Sequence, residues 1–177
     1  MEKAELLDLI AGCLKNKKEH QKKLYKAFYG FAYAIALRYA VDGEVASIIM
    51  NKGFYSAFLC LSDYEEITPF KEWLRHFMVL ASIKHYFDKR QILALADETN
   101  TDDINFHSHC LIKGFSYTNL IKMLHELPDL YRIIFNLFVI EGYAHEKIAG
   151  LLNISVHTSE AVLTRARRRL SMLMHAE

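Results

Sequence analysis

The stretch Ala144–Leu170, AHEKIAGLLNISVHTSEAVLTRARRRL, constrains this chain more than any other. Ile148, Leu151 and Leu152 recur at helical spacing, with small Ala149 toward a partner helix. Asn153 tolerates the left-handed conformation that a tight turn needs. Ile154 is the apolar plug under that turn, and Ser155 caps the next helix through its hydroxyl. In the second helix Ser159, Leu163, Ala166 and Leu170 step by four, three and four, which puts them on one inward stripe. His157, Thr158, Glu160, Ala161, Thr164, Arg165 and Arg168 then face outward. This is helix-turn-helix geometry, in which the second helix enters a major groove.

An ordinary helical hairpin with a basic, solvated face gives the same apolar pattern. The arginines separate the two readings. Arg165, Arg167, Arg168 and Arg169 crowd the last turns of the helix. A cation at a helix C-terminus contributes about 0.3–1 kcal/mol through the helix dipole. Four within five residues exceed what capping requires. They suit phosphate contacts, which add salt-dependent affinity without sequence preference.

At 177 residues the chain suits one medium domain or two small ones. Hydrophobic residues make up 52%, enough for a substantial core. Two prolines and seven glycines leave long stretches uninterrupted and favour helix. A net charge of +1 identifies no partner; the placement of charge says more. Three cysteines, Cys13, Cys60 and Cys110, are an odd number and widely spaced. Cys13 and Cys60 lie among apolar residues, as small buried side chains in a reducing compartment do. Met1–Asp8 carries acids and lacks the apolar run of a signal peptide. No stretch reaches the roughly 18 apolar residues of a membrane span. The expectation is a cytoplasmic protein without membrane insertion, all-α in class.

Along the chain, Glu2–Leu14 reads as a short amphipathic helix and Lys15–Lys23 as a basic loop. Leu24–Tyr39 is an aromatic- and alanine-rich helix in which Gly30 marks a candidate bend. Asp42 is placed to N-cap a helix from Gly43 to about Leu61. Ser62–Thr68 is a polar loop, and Pro69 opens a helix from Phe70 to about Lys89. These pieces form a first bundle over residues 5–90. Residues 91–117 are acidic, polar and aperiodic, and read as a linker. Tyr117–Glu126 starts a new helix. Pro128 opens another over Asp129–Ile140, and Gly142 serves as its C-cap. The second bundle covers 118–172. The expected architecture is thus two small helical bundles joined by a polar linker, the C-terminal one a helix-turn-helix.

Several segments together resemble the sigma-70 family of RNA polymerase sigma factors. The likeness is to its extracytoplasmic-function (ECF) group, in the form common in Bacteroides-type bacteria. GCLKN at Gly12–Asn16 and YAIALRYAVD at Tyr33–Asp42 resemble the opening of the family's region 2. Ala46 through Phe58, with NKGF at Asn51–Phe54, sits where the polymerase-binding helix lies. FKEWLRHFMV at Phe70–Val79 resembles the promoter-melting helix. LPDLYRIIFNLFVIEGYAHEKIAGLLNIS at Leu127–Ser155 is similar to region 4, as is the LTRARRRL ending at Leu170. Five segments in this order, broken by an acidic linker, are far more specific than a lone helix-turn-helix.

The resemblance implies a DNA-binding transcription initiation factor that directs RNA polymerase core to promoter DNA. Region 2 would dock on the core through Ile48, Ile49, Asn51, Lys52 and Phe54. It would open the −10 element through Trp73, Arg75, Leu80 and Lys84. Region 4 would read the −35 element through Ser155, His157, Thr158, Glu160, Ala161, Thr164, Arg165 and Arg168. An anti-sigma factor is a further partner the resemblance admits. Independently, Trp73, Tyr86 and Phe87 share a helix with Lys71, Arg75, Lys84, Lys89 and Arg90. Rings that stack bases and cations that track phosphates are what single-stranded DNA binding needs. Aromatic spacing on an amphipathic helix is also what core packing gives.

The sequence departs from the family at three places. Ile48 replaces an acid in the polymerase-binding helix and Lys52 reverses one. That change either weakens docking on a basic clamp or adds apolar contact. Leu80-Ala81 stands where the melting helix often carries hydrogen-bonding residues. Glu160 stands where the recognition helix is usually cationic. It either accepts from a cytosine amino group or marks a face that no longer meets DNA. A diverged DNA-binding regulator or polymerase-associated modulator is therefore the alternative function.

Enzymatic chemistry has little to stand on, and no cofactor is implied. Among nine histidines the tight cluster is His107-Ser108-His109-Cys110, which lacks a second ligand pair at finger spacing. No serine or cysteine nucleophile with an orienting acid stands out beside His145 or His157. There is no glycine-rich phosphate loop.

Overall fold

A computed structural model describes residues 1–94 and 117–174. The described residues form helices and connecting turns with no strand. The order is α1 (Lys3–Leu14), α2 (Lys18–Tyr39), α3 (Gly43–Leu59), a 3₁₀ turn (Leu61–Asp63) and α4 (Phe70–Ala94). After residue 116 come α5 (Tyr117–His125), α6 (Asp129–Phe135), a π turn (Asn136–Ile140), α7 (His145–Leu152) and α8 (Val156–Met174). The chain divides into two compact units, Met1–Ser82 and Ile83–Glu177.

In the first unit α1 packs on α2 and α2 on α3. Leu9, Leu24, Phe28, Ile35, Ile49, Phe54, Leu74 and Met78 fill its centre, which is apolar burial of the ordinary kind. Asp42 caps α3 by accepting from the Val45 N–H at 2.8 Å. Gly53 lets α3 approach α4 closely: a Cβ there would lie 2.7 Å from Met78 Sδ and Cε. Phe28 meets Phe70 at 4.8 Å between ring centroids, and Phe70 continues into Tyr64 and Trp73.

Three local expectations are corrected. Lys15–Lys23 is not a loop, because α2 begins at Lys18. Only Lys15–Lys17 turns the chain, with Asn16 at φ 54°. Lys, Glu and Gln are good helix formers, so polarity there marks an exposed helical face. Helix α2 continues through Gly30 to Tyr39. The expected helix Asp129–Ile140 changes winding at Asn136, where an i→i+5 turn inserts one extra residue. Of the expected linker, Gln91–Ala94 is helical. The remainder up to Ser116, with Cys110 and the His107–His109 pair, lies outside the described residues. Of the other two cysteines, Cys13 is buried and Cys60 half-buried; burial raises the Cys13 thiol above its ordinary pKa.

In the second unit α6 and α7 pack against α8. Ile133, Ile134, Leu137, Ile148, Leu152, Leu163 and Leu170 are buried among them. Arg132 is buried at 1% exposure. Its Nη2 donates to Asp129 Oδ1 at 2.8 Å and to the Leu127 carbonyl at 2.9 Å. Asp129 Oδ2 in turn accepts from Lys89 Nζ at 2.6 Å. Burial lowers the Arg132 pKa and Asp129 opposes that shift, so the guanidinium stays charged with a carboxylate beside it. No helix of the described residues is long and apolar enough to cross a membrane.

Candidate nucleic-acid interface

The turn that sets α8 against α7 is built from local signals. Helix α7 ends with Asn153 at φ 52° and ψ 50°, its N–H bonded to the Ala149 carbonyl. Ile154 N–H closes on the same carbonyl at 3.1 Å. Ser155 Oγ accepts from the Thr158 N–H at 2.9 Å and lies 2.7 Å from Thr158 Oγ1, so the α8 N-terminus is capped. Ahead of α7, Gly142 takes φ 72°, which a side chain would strain.

Helix α8 turns Ser159, Leu163, Ala166 and Leu170 inward; each is 3% exposed or less. Ser159 Oγ lies 2.9 Å from His145 Nδ1 at the start of α7. The His145 ring stacks on Phe138 of the π turn, 4.3 Å between centroids. Arg167 covers the same Phe138 ring at 5.7 Å. Helices α7 and α8 and the π turn are thus joined through one histidine. His145 and Ser159 are 14 residues apart, and no local pattern in the sequence pairs them.

Ser155 just ahead of α8 and His157, Glu160 and Arg168 on its outward face are exposed, with Thr158, Ala161, Thr164 and Arg165 half-buried. Thr164 Oγ1 donates to the Glu160 carbonyl at 3.0 Å, which holds that hydroxyl on the helix. None of the eight candidate DNA-contacting residues is in the core. Their chemistry is an exposed cationic end and a polar N-terminal half, suited to phosphates and to base edges respectively.

On α4, Leu80 is 39% exposed and Lys84 is exposed one turn further on. Trp73 is half-buried, its ring 4.7 Å from Phe77 and 5.4 Å from both Tyr64 and Phe70. Arg75 is also half-buried, with its guanidinium 6.0 Å from the Phe31 ring and Nε 3.6 Å from Glu72. Lys71 approaches Phe31 at 5.7 Å. Phe31 of α2 thereby joins the cationic side of α4, a partner that spacing within α4 does not reveal.

On α3 the five expected polymerase-contacting residues part company. Ile48, Asn51 and Lys52 are exposed, whereas Ile49 and Phe54 are buried at 1% and 4%. Ile49 and Phe54 belong to the core because they sit on the side of α3 that meets α2 and α4; Phe54 packs 4.6 Å from Tyr25. The exposed stripe runs Ile48, Lys52, Tyr55, Leu59 at steps of four, three and four. Tyr55 at 67% and Leu59 at 65% exposure were not among the expected contacts, although the same periodicity points to them. Asn51 Oδ1 accepts from the Tyr25 hydroxyl at 3.0 Å. Burial first and Tyr29 second raise the Tyr25 pKa, which keeps that phenol a donor.

The fold and the α8 face define a helix-turn-helix protein with an all-helical companion unit. Residues 117–170 match the family described as Sigma-70, region 4. The chain is also similar to the ECF RNA polymerase sigma factor SigM of Bacillus subtilis (strain 168). It is 23% identical to it over 156 residues, covering 85% of this chain and 93% of that protein. In fold it resembles the sigma factor RpoE solved in complex with the anti-sigma factor NepR from Bartonella quintana. The TM-score is 0.53 at 17% identity, covering 88% of this chain and 97% of that one. The family match is thus to the second unit, and the likeness over most of the chain is to an ECF sigma factor.

Proposed function

We propose that this chain is a sigma factor of the ECF group: a DNA-binding protein that brings RNA polymerase core to specific promoters. The observation that carries the proposal is the match of residues 117–170 to region 4, on a capped helix-turn-helix whose arginines lie off the core. In this function α8 reads the −35 element through the exposed and half-buried side chains described above. Leu80 and Lys84 on α4, with Trp73 and Arg75, serve the −10 element. The exposed α3 residues Ile48, Asn51 and Lys52, extended by Tyr55 and Leu59, dock on polymerase core. Residues 5–90 and 118–172 act as the two working modules. The protein acts in the cytoplasm by binding rather than by catalysis, and an anti-sigma factor covering these surfaces is its natural regulator. The overall likeness to the forms common in Bacteroides-type bacteria supports placing it in that subgroup.

The apolar Ile48 and cationic Lys52 favour one competing function, a polymerase-independent DNA-binding regulator. Purified chain mixed with polymerase core separates the two. A sigma factor co-elutes with core and supports promoter-specific transcription. Salt-sensitive duplex binding without any core complex would favour the regulator.

A further inference from the structure

The outward face of α8 divides by charge along its length. The arginines begin at Arg165. Glu160 stands five residues earlier, about 7.5 Å along the axis at the helical rise. It is exposed, and among the described residues its carboxylate is paired with no cation. Its neighbours at helical spacing are His157, three residues back, and Thr164, four residues on. The Thr164 hydroxyl is occupied by the Glu160 backbone carbonyl rather than by the carboxylate.

An acid on a surface that meets a polyanion is repelled by every phosphate. The same group is a strong acceptor, and the major groove offers it donors only at the amino groups of cytosine and adenine. In the groove the adenine amino group lies between two acceptors, its own N7 and the thymine O4, whereas the cytosine amino group has an acceptor on one side alone, the guanine O6, so a carboxylate is repelled less at cytosine. The N-terminal residues of a recognition helix are the ones that reach base edges. Glu160 is the fifth residue of α8, within that half and clear of the arginines.

We propose that Glu160 is a specificity-determining residue, accepting a hydrogen bond from one cytosine amino group in the upstream promoter element. The role presupposes that α8 reads promoter DNA, as proposed above. It carries two linked consequences of opposite sign. Glu160 favours cytosine at one position on the order of tenfold over other bases. It also lowers affinity for all other duplexes.

The experiment is selection from a randomised duplex pool by the full-length chain with polymerase core, comparing the parent with Glu160→Gln, Glu160→Ala and Arg165→Ala. Circular dichroism confirms that each exposed-site variant is folded. The expected result is a cytosine preference at one position in the parent. Glu160→Gln moves it toward adenine, since an amide both donates and accepts. Glu160→Ala abolishes it, and both variants bind random duplex severalfold more tightly. Arg165→Ala keeps the cytosine preference while losing affinity for every sequence alike. Unchanged base preferences in both Glu160 variants would overturn the role of Glu160 while leaving DNA reading by α8 intact. If the parent selects no sequence and Arg165→Ala changes nothing, DNA reading by α8 falls, and the role of Glu160 with it.

Discussion

Among the described residues, the unit Met1–Ser82 fully buries one polar side chain, Ser82, whose hydroxyl returns to the Met78 carbonyl of its own helix. The unit Ile83–Glu177 buries Arg132, Asn136 and Ser159: Asn136 likewise returns to a carbonyl four residues back, whereas Arg132 reaches past the start of its helix to Leu127 and Ser159 reaches across to α7. Arg132 holds Asp129 and the Leu127 carbonyl, Asn136 Nδ2 donates to the Arg132 carbonyl, and Ser159 meets His145. The first unit is shaped by volume: a close glycine, a run of rings and aliphatic filling. Such a core leaves the outer stripe of a helix free to change, which is where Ile48, Lys52 and Tyr55 lie. The second unit adds directional bonds, one of which, Ser159 to His145, ties α8 to α7. Buried hydrogen bonds specify geometry more sharply than apolar contacts, because leaving one unmade costs the full desolvation of the orphaned group.

Asp129→Ala is the strongest test of that contrast. It leaves the buried Arg132 guanidinium without its carboxylate and is expected to remove about 3–5 kcal/mol from the second unit, read as a fall in its denaturation midpoint. A loss near zero would show that Arg132 needs no carboxylate. Gly53→Ala probes the first unit. Its Cβ would crowd Met78, costing about 1–3 kcal/mol by overpacking. The Gly53→Ala/Met78→Ala double variant should be less destabilised than the sum of its parts, and strict additivity would exclude the contact. Ser159→Ala leaves His145 Nδ1 without its hydroxyl partner and is expected to cost about 1–2 kcal/mol. It should also weaken duplex binding, although Ser159 is buried away from any DNA; stability lost with binding intact would detach His145 from the presentation of α8. Ser155→Ala removes the cap, with an expected cost of about 1 kcal/mol in thermal unfolding. The smallest effect belongs to the α3 stripe. Tyr55→Ala should stay within about 0.5 kcal/mol of the parent while reducing retention on polymerase core, and a large stability loss would move Tyr55 from surface to scaffold.

What the sequence made legible follows from range. The helix-turn-helix rests on signals within a few residues of one another: Asn153 in the left-handed turn, Ser155 as cap, four inward residues on one stripe. Asp42 before α3 and Gly142 before α7 are of the same local kind. Polar interiors were not legible. Arg132 in α6 and Asn136 just after it interrupt the apolar set of Asp129–Ile140 and look like surface residues, because an arginine three residues after an acid reads as an ordinary exposed helical pair until packing covers it. The π turn at Asn136–Ile140 escaped because one inserted residue barely alters the apolar spacing. On α3, family resemblance located the helix but not its exposed side. Ile49 and Phe54 face the core, and the periodicity of Ile48, Lys52, Tyr55 and Leu59 is the better guide to the surface. Lys18–Lys23 reads as a loop in sequence because charge on an exposed helical face and charge in a turn look alike without an apolar stripe between them.

The most direct single measurement is the sequence content of genomic fragments retrieved by the tagged chain with and without polymerase core. A sigma factor is expected to enrich, with core present, a motif of two short blocks at fixed spacing, and to lose that enrichment when core is left out. Fragments of the same composition in both conditions, or none above background with core present, would contradict it.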